Sequence, residues 1–328
     1  MKVFDLHCDT LWKIDCAIND GENANLIYNS FNVDFEKLTK GKVALQCFAL
    51  FISPQNKAPF FTANKMIDLL VKDANKSDKI SIVKSYSDIV NNLSDGVISA
   101  MITMEDGFIL EGSSEKLDAL YDRGLRMICL NHNVENGIGH PNYGKYLSNG
   151  SPDWITRNTF SGLTDFGFEL VDKCNQKGII IDVSHLSDKG FYEVIKRSKK
   201  PIVASHSNAN GVCQNLRNLT DDMLKKLADN NGVTGICFVN SFLDNDKEIG
   251  KNTIECSIRH IDYVKKVIGI DHVAFGSDFD GMPCHVDFES CSQFPQLVSA
   301  LSKNGYTDSE IEKICYKNAL RVFKANLK

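Results

Sequence analysis

The sequence lacks the features of several protein classes. Its 328 residues carry a formal net charge of −5 and contain no block of consecutive basic residues, so a nucleic-acid-binding surface has no electrostatic basis. No apolar run is long enough to span a bilayer. The first predicted strand begins by residue 3, which leaves no room for a signal peptide, and residues 318–328 resemble the end of an amphipathic helix instead of a lipid-anchor signal. We therefore expect neither a nucleic acid nor a membrane among the partners.

The cysteines do not form the pattern of a disulfide framework. There are eleven of them, an odd number, scattered along the chain without a C-x-x-C pair. In a chain of this length they are expected to be reduced thiols, either buried or free. This composition predicts a soluble protein of a reducing compartment, the cytoplasm.

The composition is that of a globular α/β protein. Hydrophobic residues make up 43% of the chain and charged residues 24%, enough for one large domain or two smaller ones. Since no internal repeat, low-complexity tract or linker is visible, we expect a single domain over residues 1–328.

Apolar segments rich in β-branched residues predict eight strands. They span residues 2–9, 42–51, 96–105, 124–133, 178–185, 201–207, 232–239 and 272–281. Most are separated by segments of helical periodicity, of which 161–178, 220–232 and 254–269 each end on a glycine. Nearly continuous apolar strands favour a parallel sheet covered on both faces.

Eight strand–helix units predict a (β/α)₈ TIM-type barrel. A doubly wound sheet is the alternative, but no glycine-rich phosphate turn follows the first strand. Residues 134–162 are rich in glycine, asparagine and proline and are too long for a passive connector. We expect them to lie over the barrel mouth as an active-site loop.

Side chains that bind metals or transfer protons lie at the C-terminal ends of six of the eight predicted strands. They are His7, Asp9, Glu105, His132, His185, His206 and Asp278. In a barrel these ends meet at one mouth, where such enzymes place their chemistry. His7 and Asp9 are two residues apart and would point the same way along a strand, whereas Cys8 points to the other face and is discounted as a ligand.

Three histidines and two carboxylates form a ligand set suited to zinc or a similar divalent ion. They are His7, His185, His206, Asp9 and Glu105. These ligands suffice for two ions that share one carboxylate and hold a hydroxide between them. The sequence therefore predicts a binuclear metal site.

The whole chain resembles the membrane dipeptidase (renal dipeptidase-like) family, peptidase family M19 of the amidohydrolase superfamily. The resemblance is carried by the segments DLHCDT, MEDG, LNHN, GLTDFG, IDVSHLS, VASHSNA, RNLTDD and FGSDFDG, which follow one another in family order from residue 5 to about 281. Each motif is weak by itself, but the series is specific.

The resemblance implies a zinc-dependent dipeptidase with two ions per chain and a metal-bridged hydroxide as nucleophile. By position in the motifs, His7 and Asp9 would hold one zinc ion, His185 and His206 the other, and Glu105 would bridge them. It also implies tolerance of a D-residue at the C-terminal position of the dipeptide and, as in many relatives, a homodimer.

Three further residues match positions that act on the substrate in this family. His132 corresponds to the histidine that contacts the substrate carbonyl, and Arg217 to the arginine that binds the substrate carboxylate. Asp278 corresponds to the aspartate near the substrate amine that transfers protons. Its neighbour Asp280 is expected to support the loop or to hydrogen-bond a ligand histidine.

Two positions depart from the animal members of the family, and both bear on substrate preference. Asp106 stands where those enzymes carry glycine, and Phe242 stands where they carry a tyrosine that faces the substrate. The remaining histidines are expected to have structural roles only. They are His140, His260, His272 and His285.

Three alternatives to a dipeptidase remain open. The first is another amidohydrolase such as a lactonase, phosphotriesterase or deaminase, many of which bridge their metals with a modified lysine at the end of the fourth strand. Here that strand ends in ICLNHN, without a lysine. The second is a barrel that binds a metal or peptide without turnover. The third is an enzyme that makes or cleaves an amide in a dedicated biosynthetic route.

Overall fold

Eight parallel strands close into a barrel in the computed structural model, which describes residues 1–245, 252–282 and 286–328. These residues contain nine strands, namely β1 Val3–Asp5, β2 Val43–Phe51, β3 Ile80–Ile82, β4 Ile98–Glu105, β5 Leu125–Cys129, β6 Ile180–Asp182, β7 Val203–Ala204, β8 Val233–Ile236 and β9 Val273–Phe275. The sheet order is β2-β1-β9-β8-β7-β6-β5-β4, and parallel pairing of β2 with β4 closes the ring. The predicted (β/α)₈ barrel is confirmed.

One strand in addition to the eight of the ring, β3, was not predicted from the sequence. It pairs with the first three residues of β4, from Ile80 opposite Ile98 to Ile82 opposite Ala100, whereas β5 pairs with β4 from Ile102 onward. It therefore lies outside the ring of eight. Three residues give too short a period-two pattern to be recognised in a sequence.

Most predicted strands extend past the end of the observed ladder. β6 ends at Asp182 and β7 at Ala204, three residues before the predicted ends in each case (185 and 207). The residues that follow leave the ladder and turn into the mouth, and His185 does so with a φ of +65°. Except for Glu105, which ends β4, the polar groups of interest thus lie just beyond the strands that position them.

Helices surround the barrel. In the described residues they are α1 Thr10–Asn19, α2 Phe35–Lys40, α3 Pro59–Ala74, α4 Tyr86–Asp95, α5 Ser114–Arg123, α6 Asp165–Lys177, α7 Asp188–Arg197, α8 Asp221–Asp229, α9 Asn240–Leu243, α10 Thr253–Ile268, α11 Phe294–Lys303, α12 Asp308–Glu312 and α13 Asn318–Asn326. α6 and α10 end before Gly178 and Gly269 as predicted. The predicted end of α8 at Gly232 is wrong, because the helix stops at Asp229 with Asn230 as its C-cap.

Two apolar clusters hold these layers together. The larger one lies between the strands and the helices. The smaller one takes residues such as Phe4, Met101 and Val203 from the strands and Val322 and Phe323 from α13, so the C-terminal helix packs against the residues that fill the barrel. The rings of Phe4 and Phe323 stack at 6.1 Å between centroids. This packing leaves the opposite end of the barrel for the polar residues.

No helix of the described residues is long and apolar enough to cross a membrane. The ten described cysteines are free thiols, and all are buried except Cys16, which is half-buried.

Candidate active site

Glu105, the last residue of β4, lies at the centre of the predicted metal ligands. Its Oε2 is 3.5 Å from Nε2 of His7, and its Oε1 is 3.2 Å from Nε2 of His185 and 3.5 Å from Nε2 of His206. The two carboxylate oxygens therefore face different histidines. This is the arrangement that a carboxylate shared between two cations requires.

A second group of ligand atoms forms around His7. Its Nε2 lies 3.4 Å from Oδ2 of Asp9 and 3.9 Å from Oδ1 of Asp278. These three side chains, like the group of Glu105, His132 and His185, offer ligand atoms within 4.8 Å of one another. The structure thus brings all seven strand-end residues of the sequence prediction together, and it places ligand atoms of Asp278 and His132 within 4.8 Å of those of the candidate metal ligands.

The hydrogen bonds of His185 and His206 leave their Nε2 atoms free to bind a metal. Nδ1 of His185 lies 2.8 Å from Oδ1 of Asn133, an acceptor, so this nitrogen carries the proton. Ser205 donates its hydroxyl hydrogen to Asp182 and accepts from Nδ1 of His206 at 2.7 Å. Both Nε2 atoms therefore carry lone pairs, as metal-ligating histidines do when their other nitrogen is held by a hydrogen bond.

Unsatisfied buried atoms show that a cation fits this site. The Nε2 atoms of His185 and His206 lie only 2.8 Å apart, and two lone pairs at that distance repel each other. Within the described residues, Nε2 of His7 and Oδ1 of Asp9 are buried without a hydrogen-bond partner, although buried polar atoms are nearly always paired. A pair of divalent ions would satisfy all four atoms, so the donor set fits the metals that the sequence predicts.

The pKa values of the site are set by burial and by mutual charge. Burial lowers the pKa of His185 well below its ordinary value, and the Arg217 charge adds to this, while burial and the His7 charge do the same for His206. Burial also opposes the charged form of His7, but the carboxylates of Glu105 and Asp9 outweigh it and raise the His7 pKa. His185 and His206 are thus neutral, the form that binds metals.

A cavity of about 530 Å³ opens beside these ligands. It is lined by Asp9, Trp12, Phe51, Glu105, His132, Asn133, Trp154, His185, Asn215, Arg217, Val239, Ser241, Phe242, Asp278 and Gly281. Trp154 comes from the loop 134–162. Three of the five candidate metal ligands, the predicted substrate-binding groups and an apolar wall therefore share one cavity.

Arg217 is buried at the wall of this cavity. Its guanidinium donates to the carbonyl of His206 at 3.1 Å and to the hydroxyl of Ser207 at 3.3 Å, which holds it next to the end of β7. Its Nε has no hydrogen-bond partner in the part of the chain that the structure describes, and the ring centroid of Phe242 lies 5.4 Å from its carbon Cζ. A buried cation held only by neutral groups has an unmatched charge, and an anionic ligand group would supply the missing partner.

The structure separates the two aspartates that follow β9. Asp278 lines the cavity, and burial raises its pKa to about 6. Asp280 accepts hydrogen bonds from the hydroxyl of Thr10 and the backbone N–H of Asn32 and supports the loop, with no bond to a ligand histidine. Gly281 next to them is required, because a Cβ there would lie 2.1 Å from Asp9 and 2.4 Å from Asp278.

Asp106 is not among the residues that line the cavity. Its side chain is buried away from the cavity and accepts the backbone N–H groups of Phe108 and His132 at 2.9 and 3.1 Å. Its φ of +78° is a conformation that glycine adopts without strain. Asp106 instead positions the backbone of His132. Phe242 does line the cavity, as expected of a residue that faces the substrate.

The other histidines have hydrogen bonds of a structural kind where the structure describes them. Nδ1 of His140 lies 2.8 Å from the carbonyl of Gly162, and Nδ1 of His272 lies 2.8 Å from that of Gly232. His260 is buried between a backbone N–H and a backbone carbonyl. His285 lies outside the described residues. Cys8 is buried and belongs to none of the candidate metal groups found among the described residues.

The sequence did not identify several residues that support the site or line its cavity. They are Trp12, Phe51, Asn133, Trp154, Asp182, Ser205 and Asn215. Asn133 and Ser205 are the sequence neighbours of the predicted site residues His132 and His206, and this adjacency could have identified them. An aromatic residue at a strand end, such as Phe51, cannot be told from a core residue without the tertiary structure.

Comparison with known proteins identifies the family. A family model described as membrane dipeptidase (peptidase family M19) matches residues 1–328. The chain belongs to this family. It is similar to dipeptidase tcpJ of Claviceps purpurea, with 28% identity over 305 residues, which cover 89% of this chain and 69% of that protein.

Two solved structures of the same kind share the fold over their full length. One is a metallopeptidase of Rhodobacter sphaeroides bound to a phosphinate mimic of the dipeptide L-Ala-D-Ala, with a TM-score of 0.87, 26% identity and 99% of each chain covered. The other is the dipeptidase AC of family M19, with a TM-score of 0.88, 27% identity and coverage of 100% of this chain and 99% of that one. The M19 enzyme described here is therefore a metallo-dipeptidase.

Proposed function

We propose that the enzyme is a zinc-dependent dipeptidase with two ions per chain. His7 and Asp9 would hold one ion, His185 and His206 the other, and Glu105 would contact both. The observation that carries this proposal is the orientation of Glu105, whose two oxygens face separate histidine groups at 3.2 to 3.5 Å. Imidazole and carboxylate ligands in this number suit zinc.

The bound ions would lower the pKa of a water molecule and polarise the scissile carbonyl. Arg217 binds the C-terminal carboxylate of the dipeptide through charge-assisted hydrogen bonds, which limits substrates to those with a free carboxylate close to the scissile bond. Burial lowers the pKa of His132, so its neutral imidazole can donate a hydrogen bond to the developing oxyanion.

Asp278 acts as the proton carrier. Its carboxylate lines the cavity 3.9 Å from Nε2 of His7, and its pKa of about 6 is close to the value that suits a group that accepts and returns a proton near neutral pH. It accepts a proton from the attacking water and donates one to the leaving amine. Asp278 also provides an acidic partner for the amino group of the substrate, which binds nearby.

Several finer properties belong to the same proposal. Tolerance of a D-residue at the C-terminal position is supported by the ligand of the Rhodobacter sphaeroides relative, a mimic of L-Ala-D-Ala. The loop 134–162 acts as an active-site loop, because its Trp154 lines the cavity. We further propose a single domain over residues 1–328, a homodimer and, from the eleven thiols, a cytoplasmic location.

The test combines metal analysis with a substrate panel. Protein expressed with zinc is analysed for metal content and assayed on Ala-Ala in its L,L and L,D forms, on their C-terminal amides and on tri-alanine. We expect about two zinc ions per chain and cleavage of the free dipeptides alone. Hydrolysis of lactones or of a nucleobase amine with no activity on any dipeptide would contradict the proposal.

A further inference from the structure

The order of strands in the barrel places the two ends of the cavity on opposite sides of the mouth. β2 and β7 are four strands apart in either direction around the ring of eight. Phe51 is the last residue of β2, whereas the guanidinium of Arg217 is held by the carbonyl of His206 directly after β7. Phe51 and Arg217 therefore lie on opposite sides of the mouth.

The proposed substrate orientation follows from these positions. A dipeptide whose carboxylate is bound by Arg217 extends across the mouth, so its N-terminal residue lies on the side of β1 and β2. Asp278, which is proposed to bind the amine, follows β9, the strand next to β1. The side chain of the N-terminal residue is thereby directed to the wall formed by the segments after β1 and β2.

This wall is aromatic. Trp12, in the first turn of α1, and Phe51 pack edge to face with ring centroids 5.2 Å apart, and Phe51 packs against His132 at 4.9 Å. Both rings are only half-buried and line the cavity, so part of their apolar surface stays open to a ligand. An aliphatic or aromatic side chain of the substrate would stabilise the complex by burying that apolar surface.

The wall has no partner for a charged side chain. Among the described residues that line the cavity, every charged or titratable group is already a proposed ligand of the metals or of the dipeptide backbone. Nζ of Lys13 lies 4.9 Å from the ring centroid of Trp12, but Lys13 is not among the residues that line the cavity. An ionised side chain would lose its hydration without compensation.

We propose that Trp12 and Phe51 form the pocket for the N-terminal side chain and that the enzyme prefers dipeptides whose N-terminal residue is large and apolar. This proposal rests on the proposed function, since it takes Arg217 as the carboxylate site. It adds the class of substrate and two residues that determine specificity.

The experiment measures kcat/KM for two dipeptide series with the metal-loaded enzyme. The first series varies the N-terminal residue (Leu-Ala, Phe-Ala, Gly-Ala, Glu-Ala, Lys-Ala), and the second varies the C-terminal residue (Ala-Leu, Ala-Gly). We expect Leu-Ala and Phe-Ala to exceed Gly-Ala by roughly 10- to 100-fold, the range for burying one apolar side chain. Glu-Ala and Lys-Ala should fall at or below Gly-Ala.

Variants then assign the preference to the pocket. Phe51→Ala and Trp12→Ala should each lower the ratio of Leu-Ala to Gly-Ala by roughly tenfold, because part of the apolar wall is lost. The ratio of Ala-Leu to Ala-Gly should change by less than about twofold, since it reports the other end of the cavity. Phe61→Ala, at an exposed phenylalanine of α3 (67% exposed), is the matched control and should change neither ratio.

The outcomes separate this inference from the proposed function. Absence of activity on every dipeptide would refute the proposed function itself. If the enzyme cleaves dipeptides but Phe51→Ala loses equal activity on Leu-Ala and Gly-Ala, the ring of Phe51 only supports His132. If the variants change only the C-terminal series, Trp12 and Phe51 bind the side chain of the C-terminal residue instead. Either result overturns the pocket. Phe51→Leu, which keeps the site apolar, provides the comparison if Phe51→Ala does not fold.

Discussion

The Nε2 atoms of His185 and His206 lie 2.8 Å apart, although each imidazole already uses its Nδ1 in a hydrogen bond. Neither ring can donate a proton to the other in the neutral form that burial favours. The fold thus holds two lone pairs face to face beside Oε1 of Glu105. A divalent cation would turn this repulsion into coordination.

Replacement of Glu105 by glutamine should reduce metal binding more than any other isosteric change at the site. A neutral amide cannot compensate the charge of two cations and offers one oxygen where the carboxylate offers two. We expect the variant to retain less than about one ion per chain and to lose at least about a hundredfold in turnover. Elemental analysis and a dipeptide assay measure both. The control is Glu36→Gln on α2, because the carboxylate of Glu36 is exposed in an ion pair with Lys40. If Glu105→Gln kept two ions and full turnover, the assignment of Glu105 as a shared carboxylate would be contradicted.

Asp278→Asn should leave the metal content nearly unchanged and lower turnover by roughly a hundredfold or more, the usual effect of a lost proton carrier. Asp280→Asn should act differently, since Asp280 bonds Thr10 and Asn32 and does not line the cavity. It should lower the melting temperature more than the turnover of the folded enzyme. Loss of both metals in Asp278→Asn would make this residue a ligand instead, and the reverse pattern in the two variants would exchange their roles.

Arg217→Ala should weaken kcat/KM for a free dipeptide by roughly 30- to 1000-fold, the range for a buried charge-assisted contact. A C-terminally amidated dipeptide, whose carboxylate is gone, should lose much less. Arg217→Lys should restore part of the activity, because an ammonium cannot provide the planar fork of a guanidinium. The measurement compares three enzymes on two substrates. Equal losses on acid and amide would mean that Arg217 stabilises the loop around Ser207 and does not bind a carboxylate.

Ser205→Ala should weaken zinc binding by roughly 10- to 100-fold, the usual effect of removing a partner of a ligand histidine. The hydroxyl links Asp182 to Nδ1 of His206 and thereby keeps the proton on that nitrogen. Competition with a chelator measures the affinity, and ¹⁵N NMR of the metal-free protein should show the Nδ1–H form of His206 replaced by a mixture. Ser184→Ala removes a hydroxyl that accepts the backbone N–H of His206 and should leave this tautomer in place. An unaltered tautomer in Ser205→Ala would refute the role of the hydroxyl.

Stability should fall in mild acid partly because of His260. The ring accepts the N–H of Ala209 at Nδ1 and donates to the carbonyl of Leu243 from Nε2, so only the neutral form fits, and burial lowers its pKa to about 4. This pKa is below the unfolded value of about 6.5, so the contribution is fully present above that pH and is lost as the pH falls through the folded value. Between pH 7 and 5 the loss is about 2 kcal/mol.

The measurement for His260 is urea unfolding at pH 7 and pH 5. The free energy of unfolding of His260→Gln should fall less between these pH values than that of the unchanged enzyme, by about 2 kcal/mol. His272→Gln is the control, because His272 is only half-buried at the barrel's other end. An equal pH dependence in His260→Gln and the unchanged enzyme would contradict the prediction.

The sequence alone determined the barrel and which seven strand-end polar side chains meet at its mouth. Apolar β-branched runs specify strands, and parallel strands that alternate with helices must bring their C-terminal ends together. Residues far apart in sequence such as His7, Glu105 and His206 could therefore be assigned to one site because each ends or follows a strand. This inference needs only the order of elements along the chain.

The tertiary structure alone decided how those residues face one another. Side-chain rotamers determine which oxygen of Glu105 contacts which histidine. Loop conformations with positive φ at Asp106, Asp278 and Asp280 turn Asp280 toward Thr10, Asp278 into the cavity and Asp106 into the interior. Likewise, Phe51 lines the cavity only because β2 pairs with β4 and closes the ring opposite β7. Distances between groups on different strands are properties of ring closure, and no local pattern along the chain encodes them.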